Sequence, residues 1–350
     1  MTTDCPVPYA EHDRVQLGHG AGGRLTAELL DALVLPALAP GTPPGPLEDA
    51  ALLPDTPELV LSTDGFVVSP LFYPGGDIGS LAVHGTVNDL AMRGAVPLAL
   101  AVALIAEEGL ETSVLRAVLE SLGKAAEAAR VPVITGDTKV VGRGAADQVF
   151  LTTTGVGRRL PGLCPTSAGA RPGDAVLLSG PLGLHGTAVL STREGLGFEA
   201  DIASDSRPLH TLVRRLAELG PDVHALRDPT RGGLAAALNE IARDSRVTVE
   251  VAEDVLPVPG PVAAACELLG LDPLHVANEG CLVAFVAPGS AERALTALRS
   301  RPEGADAVRI GEVTAATPDP APEGAVTLRT AIGATRVLDM PLGELLPRIC

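Results

Sequence analysis

The chain of 350 residues carries 43 acidic and 26 basic side chains, which gives a formal net charge of −17 at pH 7. So acidic a protein is a poor partner for nucleic acid or for an anionic membrane, because both would repel it. Aromatic residues make up only 2% of the chain and tryptophan is absent, which also argues against stacking on single-stranded nucleic acid. The length predicts about two domains, each large enough for a buried core.

The start of the chain and its cysteines bear on location. Residues 1–13 carry acids and prolines where a signal peptide has a basic start and an apolar run. The longest apolar run, 95–106, is far shorter than the ~20 residues that span a bilayer. The 5 cysteines include no Cys-x-x-Cys pair, so they do not predict a disulfide framework. We therefore expect a cytoplasmic protein that does not bind membranes.

The first half of the chain is predicted to mix strands and helices. A Gly-rich segment over 18–23 leads into a helix over 25–38, and a Pro-rich turn over 40–46 follows. Apolar runs and helical spacing predict the next elements, which are strands over 59–64, 98–105, 131–135 and 149–156 and helices over 80–93 and 112–129.

A change of pattern divides the chain. Between residues 158 and 172 the sequence turns to Gly, Pro, Ser and Arg, which predicts a domain boundary. The second half then predicts helices over 209–219, 234–244 and 291–298 and strands over 174–179, 247–251, 281–286, 326–329 and 335–338. This mixture predicts an α+β fold with domains at residues 1–165 and 166–338 and a flexible tail at 339–350.

Acidic motifs at loop-like positions are the main chemical pattern of the first half. Asp64 and Asp137 each follow an apolar run, where a carboxylate at the end of a strand would face a cleft. Mg²⁺ prefers a few carboxylates together with phosphate oxygens. A single motif of this kind could equally be an ordinary turn or capping acid. Four such motifs together favour a metal–nucleotide site. They are Glu48-Asp49, Thr63-Asp64-Gly65, Asn88-Asp89 and Gly136-Asp137-Thr138-Lys139.

Two Gly-rich turns offer backbone N–H groups for phosphate. The first contains Gly20, Gly22 and Gly23 and precedes a predicted helix, although a flexible loop is the alternative interpretation. The second turn begins at Asp228 and ends at Gly233, and it offers an acid, a guanidinium and free amides. We expect this second turn to close over the same nucleotide.

The chain ends in a cysteine, Cys350. A thiol at the end of a tail is not expected in a core, and an exposed thiol is a liability unless it is used. It is not a prenylation signal, which needs the cysteine four residues from the end. Chance is the alternative to a functional thiol. Cys266 and Cys281 lie in apolar surroundings and are expected to be inert core residues.

Taken together, these motifs resemble the HypE family of carbamoyl dehydratases, from Gly18 to Cys350. The acidic and Gly-rich motifs are also similar to those of the wider superfamily that includes aminoimidazole ribonucleotide synthetase. Glu48 departs from the family pattern, which usually has Asp there, and the residues before Val15 look like an extension. The resemblance is carried further by Asn278-Glu279-Gly280 and, most specifically, by the ending Pro347-Arg348-Ile349-Cys350.

The resemblance implies a homodimer of two-domain subunits, with ATP and Mg²⁺ in the cleft between the domains of each. It implies that a HypF-type carbamoyltransferase loads a carbamoyl group onto Cys350. ATP then drives dehydration of the thiocarboxamide to a thiocyanate. The thiocyanate would supply the cyanide ligand of the [NiFe] hydrogenase iron, which is held by a HypC–HypD scaffold complex.

The resemblance and the acidic motifs together predict the site residues. Cys350 would carry the reacting group, and Lys139 and Glu279 would act on its amide. Mg²⁺ would be held by Asp49, Asp64, Asp89 and Asp137, and the nucleotide would also contact Asn88, Thr138, Gly20, Gly22, Gly23 and Asp228. One alternative is a related synthetase that acts on a small free amide or ribonucleotide and does not need the terminal thiol. The other is a scaffold without enzymatic activity.

Overall fold

A computed structural model describes residues 14–38, 45–195, 202–315, 324–343, 346 and 348–350. Most of the predicted Pro-rich turn lies outside these ranges, as does Pro347 of the tail motif. Within the described ranges, no helix is long and apolar enough to cross a membrane.

The first half folds around one five-stranded sheet. Its strands follow the order β1-β2-β7-β5-β6, in which only β5 and β6 pair in parallel. The elements are α1 (Arg24–Leu29), a π-helical turn (Leu30–Val34), α2 (Leu35–Leu38), β1 (Ala51–Leu53), β2 (Thr56–Phe66), β3 (Phe72–Tyr73), β4 (Gly76–Asp77), α3 (Ile78–Met92), β5 (Ala95–Glu107), α4 (Thr112–Ala129), β6 (Val133–Val141) and β7 (Val149–Arg159).

The second half contributes a seven-stranded sheet in the order β14-β13-β10-β12-β8-β11-β9. Its elements are β8 (Ala175–Leu178), α5 (Leu184–Arg193), α6 (His210–Leu216), β9 (Val223–Arg227), α7 (Gly233–Ser245), β10 (Val247–Ala252), α8 (Gly260–Leu269), β11 (Val283–Val286), α9 (Ala291–Arg299), β12 (Val308–Ala315), β13 (Ala325–Arg329) and β14 (Thr335–Val337). The predicted α+β class is confirmed. Four of these elements, α5, β9, α8 and β12, were not predicted, because their apolar residues are interrupted by Gly, Thr or charged residues.

Helix α3 joins the two halves. Twelve of its residues are buried on all sides of the helix, because it packs on the first sheet and also on α4 and α6. Asp77 caps its N-terminus by accepting hydrogen bonds from the N–H groups of Gly79 and Ser80. A helix without a polar face is held firmly by its surroundings, which makes it a rigid platform for any polar side chain that it carries.

Three of the acidic motifs do not occupy the predicted loops. Asp64 lies inside β2, Asp137 lies inside β6, and Asp89 lies inside α3. The strand predicted to end at residue 135 continues to 141, because its backbone pairs with β5 past the polar residues. Backbone pairing therefore outweighs the weak strand preference of Gly and Asp at these positions.

The tail folds back onto the first half. The N–H groups of Arg24 and Leu25 donate to the carbonyl oxygens of Pro341 and Leu342, both at 3.1 Å. At the chain end, the Val67 N–H donates to the Cys350 carbonyl at 3.0 Å. Only 9% of Cys350 is exposed. The expectation that a terminal thiol would lie outside the core is therefore wrong, because backbone donors beyond β2 hold the chain end in place.

Candidate functional site

Three carboxylates from distant parts of the chain meet between the two halves. Oxygen atoms of Asp49, Asp89 and Asp228 all lie within 4.8 Å of one another. Asp49 precedes β1, Asp89 projects from the buried helix α3, and Asp228 follows the end of β9. Each acid is therefore placed by a different rigid element, and we call the three the carboxylate cluster.

Neighbouring side chains orient the carboxylate cluster. The Ser62 hydroxyl donates to Asp89 Oδ2 at 2.6 Å. Arg227 Nη1 lies 2.9 Å from Asp49 Oδ1, and its Nη2 lies 2.5 Å from Glu240 Oε2. Arg227 and Glu240 were not singled out from the sequence, because single polar residues at the ends of elements leave no periodic pattern.

Burial and mutual repulsion make the acids of the carboxylate cluster hard to ionise in the absence of a cation. Burial raises the pKa of Asp49 to about 8, with Arg227 acting in the opposite direction. Burial and the nearby Asp228 and Asp49 raise the pKa of Asp89 well above its usual value. Burial likewise raises the pKa of Asp228 to about 6. Crowded, buried carboxylates of this kind are the ligand set that a hard divalent cation such as Mg²⁺ prefers, so the residues fit the metal.

Asp64 lies close to the carboxylate cluster but does not belong to it. Its charge raises the pKa of both Asp89 and Asp228, so it adds to the same negative field. Glu48, the neighbour of Asp49, is engaged elsewhere: it accepts from Arg93 Nη1 at 2.9 Å and from the Ser167 N–H at 3.0 Å. Glu48 therefore has a structural ion pair rather than a place among the metal ligands.

The terminal thiol lies in the same region. Burial, together with the negative charges of Glu279, Asp64 and Asp89, raises the pKa of Cys350 to about 12. Arg231 acts in the opposite direction, and the charge of the thiol is in turn the main cause of the raised pKa of Arg231. The thiol therefore lies near the Arg231 guanidinium and near the acids Glu279, Asp64 and Asp89.

Helix α5 anchors the end of the tail. His185 Nε2 lies 2.8 Å from the Ile349 carbonyl, which can only accept, so Nε2 carries the proton. His185 Nδ1 then accepts from the Ser204 hydroxyl at 2.8 Å. Arg193 Nη2 donates to the carbonyls of Ser69 and Arg348 at 2.7 and 2.8 Å. These bonds fix the chain end before the thiol.

His185 predicts a measurable dependence of stability on pH. Burial lowers the pKa of His185 from 6.5 to about 4, so between these values the unfolded chain binds a proton that the folded chain does not. The stabilisation by the neutral ring is therefore present above pH 6.5 and is lost as the pH falls toward 4. In urea unfolding, the stability difference between wild type and His185→Gln should shrink by about 2 kcal/mol from pH 7 to 4.5. An unchanged difference would contradict the neutral, buried ring.

Glu279 is buried next to the thiol. Its backbone N–H donates to Asp205 Oδ1 at 3.1 Å, and the Gly280 N–H donates to Asp205 Oδ2 at 2.9 Å. Burial, with Asp228 and Asp205 as further causes, raises the pKa of Glu279 well above its usual value. A buried carboxyl group with a raised pKa is, once ionised, a stronger base than an ordinary carboxylate.

Asn88, predicted as a nucleotide ligand, has a buried side chain that is engaged by the protein itself. Its side-chain amide donates to the Arg207 carbonyl at 3.1 Å, and its oxygen accepts from the Leu209 N–H at 2.7 Å. The residue has no exposed surface. Both ends of the amide are therefore used to hold the segment 207–209 against α3, which makes Asn88 a positioning residue.

The two Gly-rich turns lie side by side, as their predicted common role requires. They line a cavity of about 220 Å³, together with α7, through Gly22, Gly23, Asp228 and Arg231. Arg231 Nη1 donates to the Gly20 carbonyl at 3.1 Å. Gly23 has a φ of 85°, and a Cβ there would lie 2.4 Å from the Pro341 oxygen, so only glycine fits beside the tail.

Asp137, Thr138 and Lys139 do not join the carboxylate cluster within one chain. They lie on the edge strand β6, and Lys139 Nζ pairs with Asp137 Oδ2 at 2.5 Å. Asp64 pairs across β2 and β7 with Thr153, whereas Asp137 pairs with Ala103 in the row that continues to Thr152. Adjacent rows face opposite sides of a sheet, so Asp137 points away from Asp64, about 14 Å across the strands. The predicted four-carboxylate ligand set is therefore not assembled by one chain.

Comparison with known proteins places the chain in a family. Residues 47–159 match the profile of AIR synthase related protein, N-terminal domain, and residues 171–319 match that of the C-terminal domain. Carbamoyl dehydratase HypE of Cupriavidus necator is 52% identical over 340 residues, which cover 96% of this chain and 95% of that protein. The same enzyme of Escherichia coli is 42% identical, covering 97% and 100%.

Solved structures agree with this assignment. A chain of a HypE–HypF complex is similar with a TM-score of 0.84 and 44% identity, covering 89% of this chain and 99% of that one. HypE in complex with ATP is similar with a TM-score of 0.81 and 48% identity, covering 96% and 100%. Thiamine monophosphate kinase of Aquifex aeolicus, at 20% identity and a TM-score of 0.64, shares the fold alone. The chain therefore belongs to the HypE family of carbamoyl dehydratases.

Proposed function

We propose that this protein uses ATP to dehydrate an S-carboxamide on its own Cys350 to a thiocyanate, the source of the cyanide ligand of a [NiFe] hydrogenase. The observation that carries the proposal is the burial of the terminal thiol near Arg231 and near the acids Glu279, Asp64 and Asp89. The similar proteins named for an ATP complex and for a HypE–HypF complex support ATP as the nucleotide and a HypF-type transferase as the partner.

The reaction needs an activated oxygen and the removal of protons from nitrogen. In the net change, R–S–CO–NH₂ and ATP give R–S–C≡N, ADP and phosphate, so the oxygen leaves the amide carbon within phosphate. Glu279 lies beside the thiol and, with its raised pKa, accepts a proton from the amide nitrogen. Arg231 offsets the negative charge that develops on the amide oxygen. Burial of the tail keeps water away from the product.

The metal belongs to the same proposal. Asp49, Asp89 and Asp228 would hold Mg²⁺, which neutralises charge on the phosphates of ATP and favours phosphoryl transfer. Asp64 adds negative charge next to these three acids. Gly22 and Gly23 line the adjoining cavity of about 220 Å³, and we propose that it receives the phosphates of the nucleotide.

Mass spectrometry of the C-terminal peptide tests the function directly. Incubation with a HypF-type transferase and its carbamoyl donor should add a carboxamide to Cys350, and ATP with Mg²⁺ should convert that group to a thiocyanate. A non-hydrolysable ATP analogue should leave the carboxamide in place, because the oxygen is then never activated. A related synthetase for small free substrates would leave the C-terminal peptide unmodified in every arm.

The edge strand β6 supports a homodimer. All of residues 133–140 are exposed, including Ile134 at 68% and Val140 at 69%. An uncovered edge strand with apolar side chains favours pairing with another chain. A second copy at this edge would cover β6 and would bring Asp137, Thr138 and Lys139 of one chain toward the other.

We infer that Lys139 acts on the cleft of the second copy, since it lies on a different side of the sheet from its own carboxylate cluster. Chains carrying Lys139→Ala should form no thiocyanate alone, and neither should chains carrying Cys350→Ala. Mixed dimers of the two should regain part of the activity, because the intact Lys139 then serves the intact thiol across the interface. Thiocyanate formation followed by mass spectrometry checks this, with native mass spectrometry to verify mixing.

A matched pair of chains controls that experiment. Glu279 lies beside the thiol of its own chain, so Glu279→Ala mixed with Cys350→Ala should stay inactive. Mixed dimers of Lys139→Ala and Cys350→Ala that form but produce no thiocyanate would show that Lys139 acts within its own chain or not at all.

The remaining parts of the proposal concern domains, partners and location. We place the domain boundary near residue 165, between the last strand of the first sheet and the first strand of the second. A HypC–HypD scaffold as the acceptor of cyanide, a tail that leaves the cleft for loading, and a cytoplasmic location complete the proposal. They follow from the family's chemistry, since a group carried on a protein thiol must be handed to an iron site elsewhere.

A further inference from the structure

A second cavity lies between the two halves, apart from the carboxylate cluster. It has a volume of about 540 Å³ and is formed by the C-terminal end of α4, the start of β5, helix α6 and the segment after α9. A volume of this size accommodates a small ligand. Nothing in the proposed reaction uses this cavity.

The lining is strongly cationic in a chain whose net charge is −17. Four arginines line the cavity, which are Arg130, Arg214, Arg215 and Arg301, against one carboxylate, Glu303. Arg215 pairs with Glu218 at 3.2 Å and Arg301 pairs with Glu303 at 3.3 Å. Arg130 and Arg214 form no ion pair with any residue that the structure describes. Two guanidinium groups therefore remain for a ligand.

Buried polar atoms in the lining also lack protein partners. His210 is 8% exposed and its Nδ1 has no hydrogen-bond partner among the described residues. The same is true of Thr211 Oγ1 and Arg301 Nε. Burial, together with the positive charges of Arg214 and Arg130, lowers the pKa of His210 to about 4, with Glu303 acting in the opposite direction. Buried polar atoms without partners are uncommon in native proteins, and they indicate a ligand that completes their hydrogen bonds.

We propose that this cavity binds a phosphate-bearing anion through Arg130, Arg214, Arg301, His210 and Thr211. Arginine is suited to phosphate, because its planar N–H groups match the oxygens of the anion. The side chains come from both halves, so the anion joins α4 of the first half to α6 of the second. The proposal does not depend on the function of Cys350.

The cavity is connected to the proposed active site through one short segment. Pro208 lines the cavity, while its neighbours Arg207 and Leu209 bond through their backbones to Asn88, next to Asp89 of the carboxylate cluster. An anion that orders residues 207–209 therefore also stabilises the hydrogen bonds that hold Asn88 in place. Two sources have the required chemistry, inorganic polyphosphate and the phosphates of a nucleotide.

Calorimetry with inorganic pyrophosphate tests the site. The titration is done in EDTA, because phosphate binding at the carboxylate cluster is proposed to need Mg²⁺. Wild type should bind one equivalent per chain, and Arg130→Asn with Arg214→Gln should weaken binding at least tenfold, since two charged contacts are lost. Asn keeps the left-handed backbone of residue 130, where φ is 55°. ADP as a second ligand separates the sources, because a nucleotide site binds it more tightly than pyrophosphate.

A charge-matched control distinguishes the loss of contacts in the cavity from the general effect of removing two positive charges. Arg309→Gln with Arg336→Gln removes two charges from exposed ion pairs with Glu312 and Asp272 and should leave pyrophosphate binding unchanged. If the protein with Arg130→Asn and Arg214→Gln shows no thermal unfolding transition, the single variant Arg214→Gln, at an exposed position, is titrated with pyrophosphate instead. Absent binding in wild type, equal binding in the cavity variants, or equal weakening in the control would each overturn the proposal.

Discussion

Cys350→Ala is expected to abolish thiocyanate formation completely while leaving ATP binding close to that of wild type. In the proposed reaction the thiol carries the carbamoyl group, and alanine offers no replacement for it. ATP binding should persist, because the carboxylate cluster and the Gly-rich turns do not depend on the sulfur. Mass spectrometry after incubation with the transferase reports loading, and calorimetry with Mg-ATP reports binding.

Cys164→Ala is the matched control for that experiment. Cys164 is an exposed thiol far along the chain from the tail, so its removal should leave loading and dehydration unchanged. Residual thiocyanate on the Cys350→Ala protein, or a hydrogenase matured by it as the only copy, would contradict the proposed role. Loss of ATP binding in the same variant would instead mean that the sulfur is part of the nucleotide site.

Asp89→Asn should weaken Mg-ATP binding by about 100-fold, or roughly 3 kcal/mol. In the proposed metal site, removing one of three carboxylates would take a full negative charge from the metal, and contacts to charged groups are of this size. The asparagine oxygen can still accept from the Ser62 hydroxyl, so the local fold is kept. Calorimetric titration with Mg-ATP measures the change.

The same variant should weaken Mg-ATP binding without lowering the stability of the metal-free protein. Burial and the neighbouring acids raise the pKa of Asp89 in the metal-free protein, so a neutral amide relieves repulsion and should not lower the thermal midpoint without Mg²⁺. Asp272→Asn, at an exposed ion pair with Arg336, should leave Mg-ATP affinity unchanged. A lower midpoint together with weaker binding would assign Asp89 to structure rather than to the metal.

The sequence was most informative where long apolar patterns reported on helices and strands. Helix α4 was predicted at its observed bounds, because its apolar residues repeat along one face. The sequence identified the polar motifs, but it did not predict the secondary structure in which they lie. Asp137 was placed at a strand end because Gly136 and Asp137 rarely continue a strand, and only pairing with β5 reveals that this one does.

The carboxylate cluster shows a second limit of prediction from the sequence. Asp49, Asp89 and Asp228 were each singled out from the sequence, yet Asp228 was not predicted to share a metal with the other two. Their proximity is a property of the packing between the halves, which no local pattern encodes. Arg227 and His185 were missed for a related reason, since each acts through one contact that joins distant segments.

The buried end of the chain has a consequence for the order of events. A residue that is 9% exposed is out of reach of another enzyme's active site, so the docked tail described here excludes loading. A single chain therefore cannot be loaded and dehydrated at the same time. The rate at which its tail moves between the released and the docked position sets an upper limit on turnover. In a pair of chains, one tail can be charged while the other reacts, so two copies can work alternately where a single copy would have to wait.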